Sequence, residues 1–77
     1  MRAHEGYRSW NAYNVALWVH NDLETRDLAL LCRKRHRRIS AAANMMLRAL
    51  GPKARTPDGA SYNLKNVTIA LSELKTE

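Results

Sequence analysis

An amphipathic stripe that runs into a helix-terminating dipeptide is the feature that most constrains this fold. Apolar residues recur at positions 39, 43, 46, 47 and 50, which is the spacing of one face of an α-helix. Gly51 and Pro52 then end the pattern, because glycine accepts the positive φ of a helix C-terminus and proline cannot continue a helix. Ser40 is the candidate N-cap. We therefore predict a helix over residues 39–50 that buries one face.

The segment over residues 9–20 predicts another helix, apolar around most of its circumference. Positions placed at 100° intervals leave Asn11, Asn14 and Trp18 in the narrow remaining sector. A helix with so broad an apolar arc is expected to be the central one, packed by neighbours on two sides. Trp18 then has two interpretations. It is either a covered core aromatic with its indole N–H bonded to a carbonyl, or an exposed recognition anchor.

Two further helices complete the pattern. One covers residues 22–36, with Asn21 as N-cap and Glu24 completing a capping box. The side chains that it is predicted to bury are Leu23, Leu28, Leu30, Leu31 and Cys32. The other covers residues 63–74, where apolar residues at i, i+3, i+7 and i+10 share a face and Asn66 is a candidate cap. The β-branched run at residues 67–69 also suits a strand, although a lone strand would lack a partner.

The length of 77 residues fits one small domain with a thin core. A single cysteine excludes an intramolecular disulfide framework and fits a reducing interior. The longest uncharged run, residues 9–21, is too short and too polar to cross a bilayer, and residues 1–5 lead into no apolar signal core. Pro57, Asp58 and Gly59 predict a turn between the last two helices. We predict an all-α, single-domain bundle of about four short helices over residues 1–77, soluble and intracellular, with residues 1–8 flexible.

The formal net charge of +6 is concentrated in one part of the chain. Between Leu28 and Pro57 there are eight basic residues and no acidic one, whereas the other five bases stand against all seven acids. Such a polarised field attracts a polyanion: nucleic acid, an acidic membrane face or an acidic protein groove. The alternative is that the bases solvate a helix end, where cations also suit the helix dipole. The candidate binding residues are Arg33, Lys34, Arg35, Arg37, Arg38, Arg48, Lys53 and Arg55, with Trp18 and Tyr62 as candidate aromatic anchors.

No catalytic or metal-binding constellation stands out in the sequence. Cys32 and His36 lie at i and i+4, but tetrahedral zinc needs three or four ligands, and the others would have to be His4, His20 or Asp58. Cys32 is better explained as a small buried hydrophobe. The spacing does not demand a thiol triad, and the three isolated glycines form no phosphate-cradling loop. We expect a non-enzymatic protein without a cofactor or a bound metal.

Two short motifs carry a resemblance. Residues 13–22 read YNVALWVHND, and residues 56–60 read TPDGA. Both resemble, in the same order, motifs of small uncharacterised proteins of phages and mobile elements, which read roughly N-Y-x-T-W-N-V-A-L-W-I-x-N-D near the start and T-P-D-G-V near the end. The resemblance implies a helical fold and a mobile-element origin, and it supplies no catalytic residues. Such an origin implies a location in the cytoplasm of a bacterial host.

Three functional hypotheses follow from these features. Small phage proteins of this size often bind and disable a host defence complex, CRISPR effectors among them. The first hypothesis is therefore a stoichiometric, anti-CRISPR-like inhibitor that docks its arginine-rich face on a host protein or ribonucleoprotein complex. The second is a small basic regulator that binds DNA or RNA directly through the same bases, and the third is a structural homodimer formed through Met45 and Met46. The sequence discriminates poorly between the first two, because both use the same arginines.

Overall fold

The protein folds into a bundle of α-helices. The computed structural model describes residues 9–74, so the flexibility expected for residues 1–8 lies outside the described residues. Helix α1 spans Trp10–Asn21, α2 spans Leu23–Arg35, α3 spans Ile39–Leu50 and α4 spans Leu64–Glu73. The predicted all-α fold is confirmed, and the β-branched run at residues 67–69 lies inside α4. In this part of the chain, no helix is both long enough and apolar enough to span a lipid bilayer.

Side chains at three helix starts satisfy backbone N–H groups that have no partner within the helix. Ser9 Oγ accepts from the backbone of Ala12 at 3.1 Å, and Asn63 Oδ1 accepts from the backbone of Asn66 at 2.8 Å. Asp22 Oδ2 accepts both the backbone N–H and the hydroxyl of Thr25, at 3.1 and 2.7 Å. Helices α1, α2 and α4 therefore begin at polar caps.

All three of the predicted N-cap positions are wrong. Asn21 is the last residue of α1, and its side chain donates to the carbonyl of Leu17 at 2.9 Å instead of capping α2. Ser40 lies inside α3, which begins after Arg38 without a side-chain cap. Asn66 lies inside α4. Where two polar residues are close in sequence, the pattern does not tell which one takes the extended conformation that a cap requires.

The four helices form a ring in which each packs mainly on two neighbours. Helices α1 and α3 both contact α2 and α4. Helix α1 thus has the two-sided packing that its broad apolar arc predicts, but it is no more central than the other helices. The prediction that α1 is the central helix is wrong, because every helix in the ring has the same number of main neighbours.

The core is built largely from small residues. The helix residues that form the connected hydrophobic core are Val15, Ala16, Val19, Ala29, Cys32, Ala42, Ala43, Met46, Val67, Ala70 and Leu71. Small side chains at a contact shorten the distance between helix axes. The helices therefore meet closely, and the larger leucines are partly displaced to the edge of the core.

This packing overturns part of the predicted core. Leu23 is 71% exposed and Leu31 is 47% exposed, so the prediction that α2 buries them is wrong. Helix α2 turns Ala29 and Cys32 inwards instead. Leu17 of α1 is 39% exposed, although it belongs to the apolar arc. The predicted stripe of α3 holds better, because Met46 is fully buried and its apolar neighbours pack against the core.

A structured loop connects α3 to α4. Gly51 ends α3 with a φ of +104°, and Gly59 has a φ of +97°, a region that favours glycine. Between them, Thr56 N–H donates to the carbonyl of Ala60, and Gly59 N–H donates to the carbonyl of Thr56, both at 2.8 Å. The predicted helix stop and the predicted turn at residues 57–59 are both confirmed. The turn holds Asp58 at its tip, facing α1.

Candidate functional site

The arginine-rich joint, residues 33–38, links α2 to α3. It contains the last turn of α2 and three connecting residues before α3 begins at Ile39. Four of its basic side chains are exposed: Lys34, Arg35, Arg37 and Arg38. Among the hydrogen bonds within residues 9–74, none uses these four side chains as donors. The joint therefore presents four cations directly to solvent.

Arg33 differs from the rest of the arginine-rich joint. Its side chain is half-buried, and Nη1 donates to the carbonyl of Arg37 at 3.0 Å. Its Nε is buried and has no hydrogen-bond partner within the described residues. The Nη1 bond joins the end of α2 to the connecting segment, so Arg33 shapes the joint while its neighbours carry the accessible charge.

Two helix ends of opposite polarity meet at the joint. At the C-terminus of α2, the bases of the last turn lie beside the negative end of the helix dipole and are stabilised by it. At the N-terminus of α3, Arg37 and Arg38 lie beside the positive end, and no side chain accepts from the first N–H groups. Placing Arg37 and Arg38 at the positive end of the α3 dipole destabilises the protein and raises the positive electrostatic potential at the joint. This end of the bundle consequently favours anions.

A polar stripe on α3 extends the basic surface away from the joint. Ser40, Asn44 and Arg48 are exposed at i, i+4 and i+8, which places them on one face. Asn44 Nδ2 donates to the carbonyl of Ser40 at 3.0 Å. Arg48 lies about 15 Å along the helix axis from Arg38, at 1.5 Å per residue. It borders a shallow groove of about 270 Å³.

The last two predicted bases lie in the loop that follows α3. Lys53 and Arg55 are exposed and border a cleft of about 480 Å³ that Tyr62 also lines. Arg55 Nη1 donates to the carbonyl of Gly59 at 3.0 Å, which braces the turn at residues 57–59. The eight predicted binding residues are thus not one compact cluster. Five lie in the arginine-rich joint, and Arg48, Lys53 and Arg55 follow along α3 and its loop.

A second cluster, which we call the polar clasp, consists of Asn14, Trp18, Thr56 and Asp58. Asp58 Oδ2 accepts from Asn14 Nδ2 and from Trp18 Nε1, both at 3.0 Å. Thr56 Oγ1 donates to Asn14 Oδ1 and accepts from the backbone of Ala60 at 3.0 Å. Asn14 and Thr56 are each 4% exposed. The clasp therefore fastens the loop between α3 and α4 onto α1.

The clasp changes the chemistry of its carboxylate. Hydrogen bonds from Asn14 and then from Trp18 lower the pKa of Asp58, and desolvation opposes them. Both donors stabilise the charged form of the carboxyl group more than the neutral form. Asp58 is therefore held as an anion that anchors the turn.

The two candidate aromatic anchors, Trp18 and Tyr62, lie in different environments. The indole N–H of Trp18 is bonded to the carboxylate of Asp58 rather than to a carbonyl, and the residue is half-buried. Tyr62 is 9% exposed, so little of its side chain is accessible to a partner. Burial raises the pKa of the Tyr62 hydroxyl, a hydrogen bond with Thr25 lowers it and the charge of Asp22 raises it. Tyr62 is a core residue that joins the loop to the start of α2.

Two of the side chains considered as reactive groups, Cys32 and His20, are engaged in burial or in a hydrogen bond within the fold. Cys32 is a free, fully buried thiol whose pKa is raised by burial, which confirms its interpretation as a small hydrophobe. His20 Nε2 lies 3.0 Å from the carbonyl of Ala70 and donates to it, because a carbonyl oxygen can only accept. Between residues 9 and 74, no three His, Cys, Asp or Glu side chains are grouped to hold a metal ion.

Sequence reasoning missed the polar clasp. It assigned Asn14 to a polar sector of α1 and Asp58 to a turn, without placing the two in contact. A signal for the contact was present, because Asn14 and Trp18 lie in the motif at residues 13–22 and Thr56 and Asp58 lie in the motif at residues 56–60. The structure shows that the two motifs are the two halves of one hydrogen-bonded unit.

Comparison with known proteins places the chain in a family. No match was found among curated proteins, and none was found among solved structures. A family model does match, and it covers every residue from 1 to 77. The chain belongs to DUF7249, a family of unknown function.

Proposed function

We propose that this protein is a non-enzymatic binding protein that docks its arginine-rich joint on an acidic surface of a larger host complex. The observation that carries the proposal is the set of four exposed cations at the joint, none of which donates a hydrogen bond within residues 9–74. A side chain that stabilises its own fold through polar contacts is engaged, as Arg33 and Arg55 are. The charges of the joint are available to a partner.

Electrostatics support docking as the mode of action. Like charges held together on a short segment repel one another and destabilise the free protein, and an acidic partner relieves that repulsion. Complementary charge also accelerates encounter and excludes partners of the wrong sign. The uncapped N-terminus of α3 adds to the same potential. These effects favour stoichiometric binding and need no catalytic group.

The resemblance of the motifs at residues 13–22 and 56–60 suggests the biological setting. It points to a phage or another mobile element, acting in the cytoplasm of a bacterial host. Small proteins of such elements often bind a host defence complex and disable it. We therefore propose an anti-CRISPR-like inhibitor, with a ribonucleoprotein or acidic protein surface as its target.

The stripe on α3 favours a second candidate, direct binding of DNA or RNA. Ser40 and Asn44 lie between the cations of the joint and Arg48, and hydroxyl and amide groups commonly contact phosphates beside arginine. The surface from Arg38 to Arg48 spans about 15 Å at 1.5 Å per residue, which is enough for several phosphates of one strand. The two candidate functions use the same residues of this face and differ only in the partner that binds there.

The decisive experiment is affinity capture from host lysate with the tagged full-length protein, with and without nuclease, at two salt concentrations. The variant is Arg37→Glu/Arg38→Glu. Its matched control is Arg26→Glu/Lys65→Glu, which makes the same change in net charge at two exposed bases outside the joint. We expect a discrete complex that survives nuclease, is lost with the joint variant and is retained with the control.

Other outcomes would overturn the proposal. If nuclease removes every captured protein, the second candidate replaces the first, and purified protein should then bind nucleic acid with an affinity that falls steeply with salt. If the joint variant and the control capture the same proteins to the same extent, the joint is not the docking surface. Circular dichroism of both variants shows whether the helices remain folded.

A further inference from the structure

The outward face of α2 carries large apolar side chains that, among residues 9–74, are exposed or only half-buried. Leu23 is 71% exposed, Leu31 is 47% exposed and Leu30 lies half-buried beside them. At 100° per residue, these positions fall on the side of α2 opposite Ala29 and Cys32, the two residues that the core buries. An exposed leucine face on a helix of only 13 residues favours a protein contact.

The charges on the same face are arranged with opposite signs at its two ends. Asp27 lies in the first half of α2 and Lys34 in the second half, and both are exposed. They are seven residues apart, which is two helical turns and about 10.5 Å along the axis, so they share one line on the helix surface. The midpoint of that line falls between Leu30 and Leu31. The face is therefore acidic, then apolar, then basic.

A helix face with this order of charges is complementary to a second copy of itself that runs in the opposite direction. If a second α2 lies antiparallel across a two-fold axis near Leu30 and Leu31, Asp27 of each copy faces Lys34 of the other. One ion pair then occurs twice, once on each side of the leucines, as an isologous contact requires. The antiparallel arrangement also places the positive end of each helix dipole beside the negative end of the other. A parallel arrangement would place like charges together.

We propose that the outward face of α2 is the interface of a symmetric homodimer, with two copies of this chain packed antiparallel through this helix. The partner that covers the exposed leucine face is thus a second copy of the chain, because Asp27 of each copy pairs with Lys34 of the other. This interface differs from a dimer through Met45 and Met46, because Met46 is fully buried in the core. One helix face is a small interface, so the dimer dissociates at low protein concentration.

The test uses sedimentation equilibrium of the full-length protein over a range of concentrations. We expect the wild type to approach twice its mass of 8.8 kDa as its concentration rises. Asp27→Lys places Lys beside Lys at both symmetry-related contacts, and Lys34→Asp places Asp beside Asp. Each single variant should raise the dissociation constant of the dimer at least about tenfold. This ratio is expected because the substitution replaces attraction by repulsion at both symmetry-related contacts.

Two combinations of these substitutions restore the opposite charges at both contacts, and they make the test specific to the antiparallel geometry. The double variant Asp27→Lys/Lys34→Asp recreates both ion pairs with reversed sign and should dimerise like the wild type. Mixing the two single variants should give a heterodimer more readily than either forms a homodimer, since both contacts are then of opposite charge. Lys65→Glu on α4 is the control and should leave the dissociation constant unchanged.

Several results would overturn this proposal. A wild-type protein that stays monomeric at high micromolar concentration has no such interface. A dimer that is unaffected by Asp27→Lys, or that the double variant does not restore, uses another surface. Circular dichroism of each variant distinguishes loss of dimer from loss of fold. Lys34 also belongs to the arginine-rich joint, but sedimentation of the purified chain involves no host partner, so failure of the dimer is distinguishable from failure of the proposed function.

Discussion

The polar clasp and the arginine-rich joint contain polar groups in very different states. In the clasp, each of the four side chains has a hydrogen-bond partner more than 30 residues away in sequence. In the joint, Arg33 makes a contact four residues away, and Lys34, Arg35, Arg37 and Arg38 are exposed. The comparison teaches that polar density alone does not identify a functional surface. What matters is whether the protein itself satisfies the groups.

The two regions should therefore respond differently to substitution. Removing Asn14, Thr56 or Asp58 leaves a buried group of the clasp without a partner, and that loss appears in the free energy of unfolding. Removing a charge from the joint relieves repulsion in the free protein and appears in binding. Four measurements can break or sharpen this contrast.

The largest effect is expected for Asn14→Ala. Asn14 is buried, and its loss leaves the hydroxyl of Thr56 without its acceptor inside the protein. The free energy of unfolding should fall by about 2–3 kcal/mol, measured by urea denaturation. Asn44→Ala on the exposed face of α3 is the control and should change it by less than about 0.5 kcal/mol. Equal effects for the two variants would mean that the clasp does not stabilise the fold.

A second effect is a dependence of stability on pH that passes through Asp58. Its folded-state pKa lies below the ordinary value of 3.8, so the ionised group stabilises the protein above that value. This contribution is lost as the pH falls from 3.8 through the lower folded-state pKa. Urea denaturation at about pH 7 and about pH 3 should show a larger loss for the wild type than for Asp58→Asn.

The Asp58→Asn variant should keep part of the pH dependence. The pKa of Asp22 is also lowered, by the hydroxyl and then the backbone N–H of Thr25, and this interaction remains in the variant. A wild type and a variant with the same stability difference between the two pH values would show that Asp58 does not anchor the turn in solution.

A smaller effect is expected for Trp18→Phe. This substitution removes the indole N–H that Asp58 accepts and keeps most of the aromatic packing. The hydrogen bond is exposed to solvent, so water replaces it in part, and the loss of stability should be less than half of that for Asn14→Ala. The same denaturation experiment measures it. A larger loss than for Asn14→Ala would place the main energy of the clasp at Trp18.

The smallest effect is a gain in stability at the joint. Arg38→Asp supplies the N-cap that α3 lacks and places an anion at the positive end of its dipole, so the variant should be more stable by about 0.5–1 kcal/mol. Arg48→Asp, near the other end of α3, is the matched control and should be slightly destabilising. A loss of stability in Arg38→Asp would show that the joint contributes to folding and would remove the contrast with the clasp.

The comparison also shows where sequence reasoning succeeded. The helices and their ends depend on local physics: the spacing of apolar side chains, the dihedral freedom of Gly51 and Gly59, and polar caps at the starts of α1, α2 and α4. These signals lie within a few residues of the structure that they determine. The fold class, the four helices and the turn at residues 57–59 were predictable for that reason.

The faces of the helices were less predictable. Hydrophobicity alone placed Leu23 and Leu31 in the core, yet α2 buries Ala29 and Cys32. The ring of helices is close-packed, and at a short distance between axes a small side chain fits where leucine does not. That choice depends on the neighbouring helix, which a single helical segment does not contain.

The sequence by itself determined four helices, their approximate ends and a basic segment at the joint between α2 and α3. The tertiary structure alone decided that Asn14 and Trp18 meet Asp58 across 44 and 40 residues, and that Tyr62 is covered. It also decided that the four exposed cations of the joint donate no hydrogen bond among residues 9–74. The physical reason is distance along the chain. Helix formation is a local equilibrium, whereas burial and hydrogen-bond satisfaction depend on which distant groups the packed helices bring together.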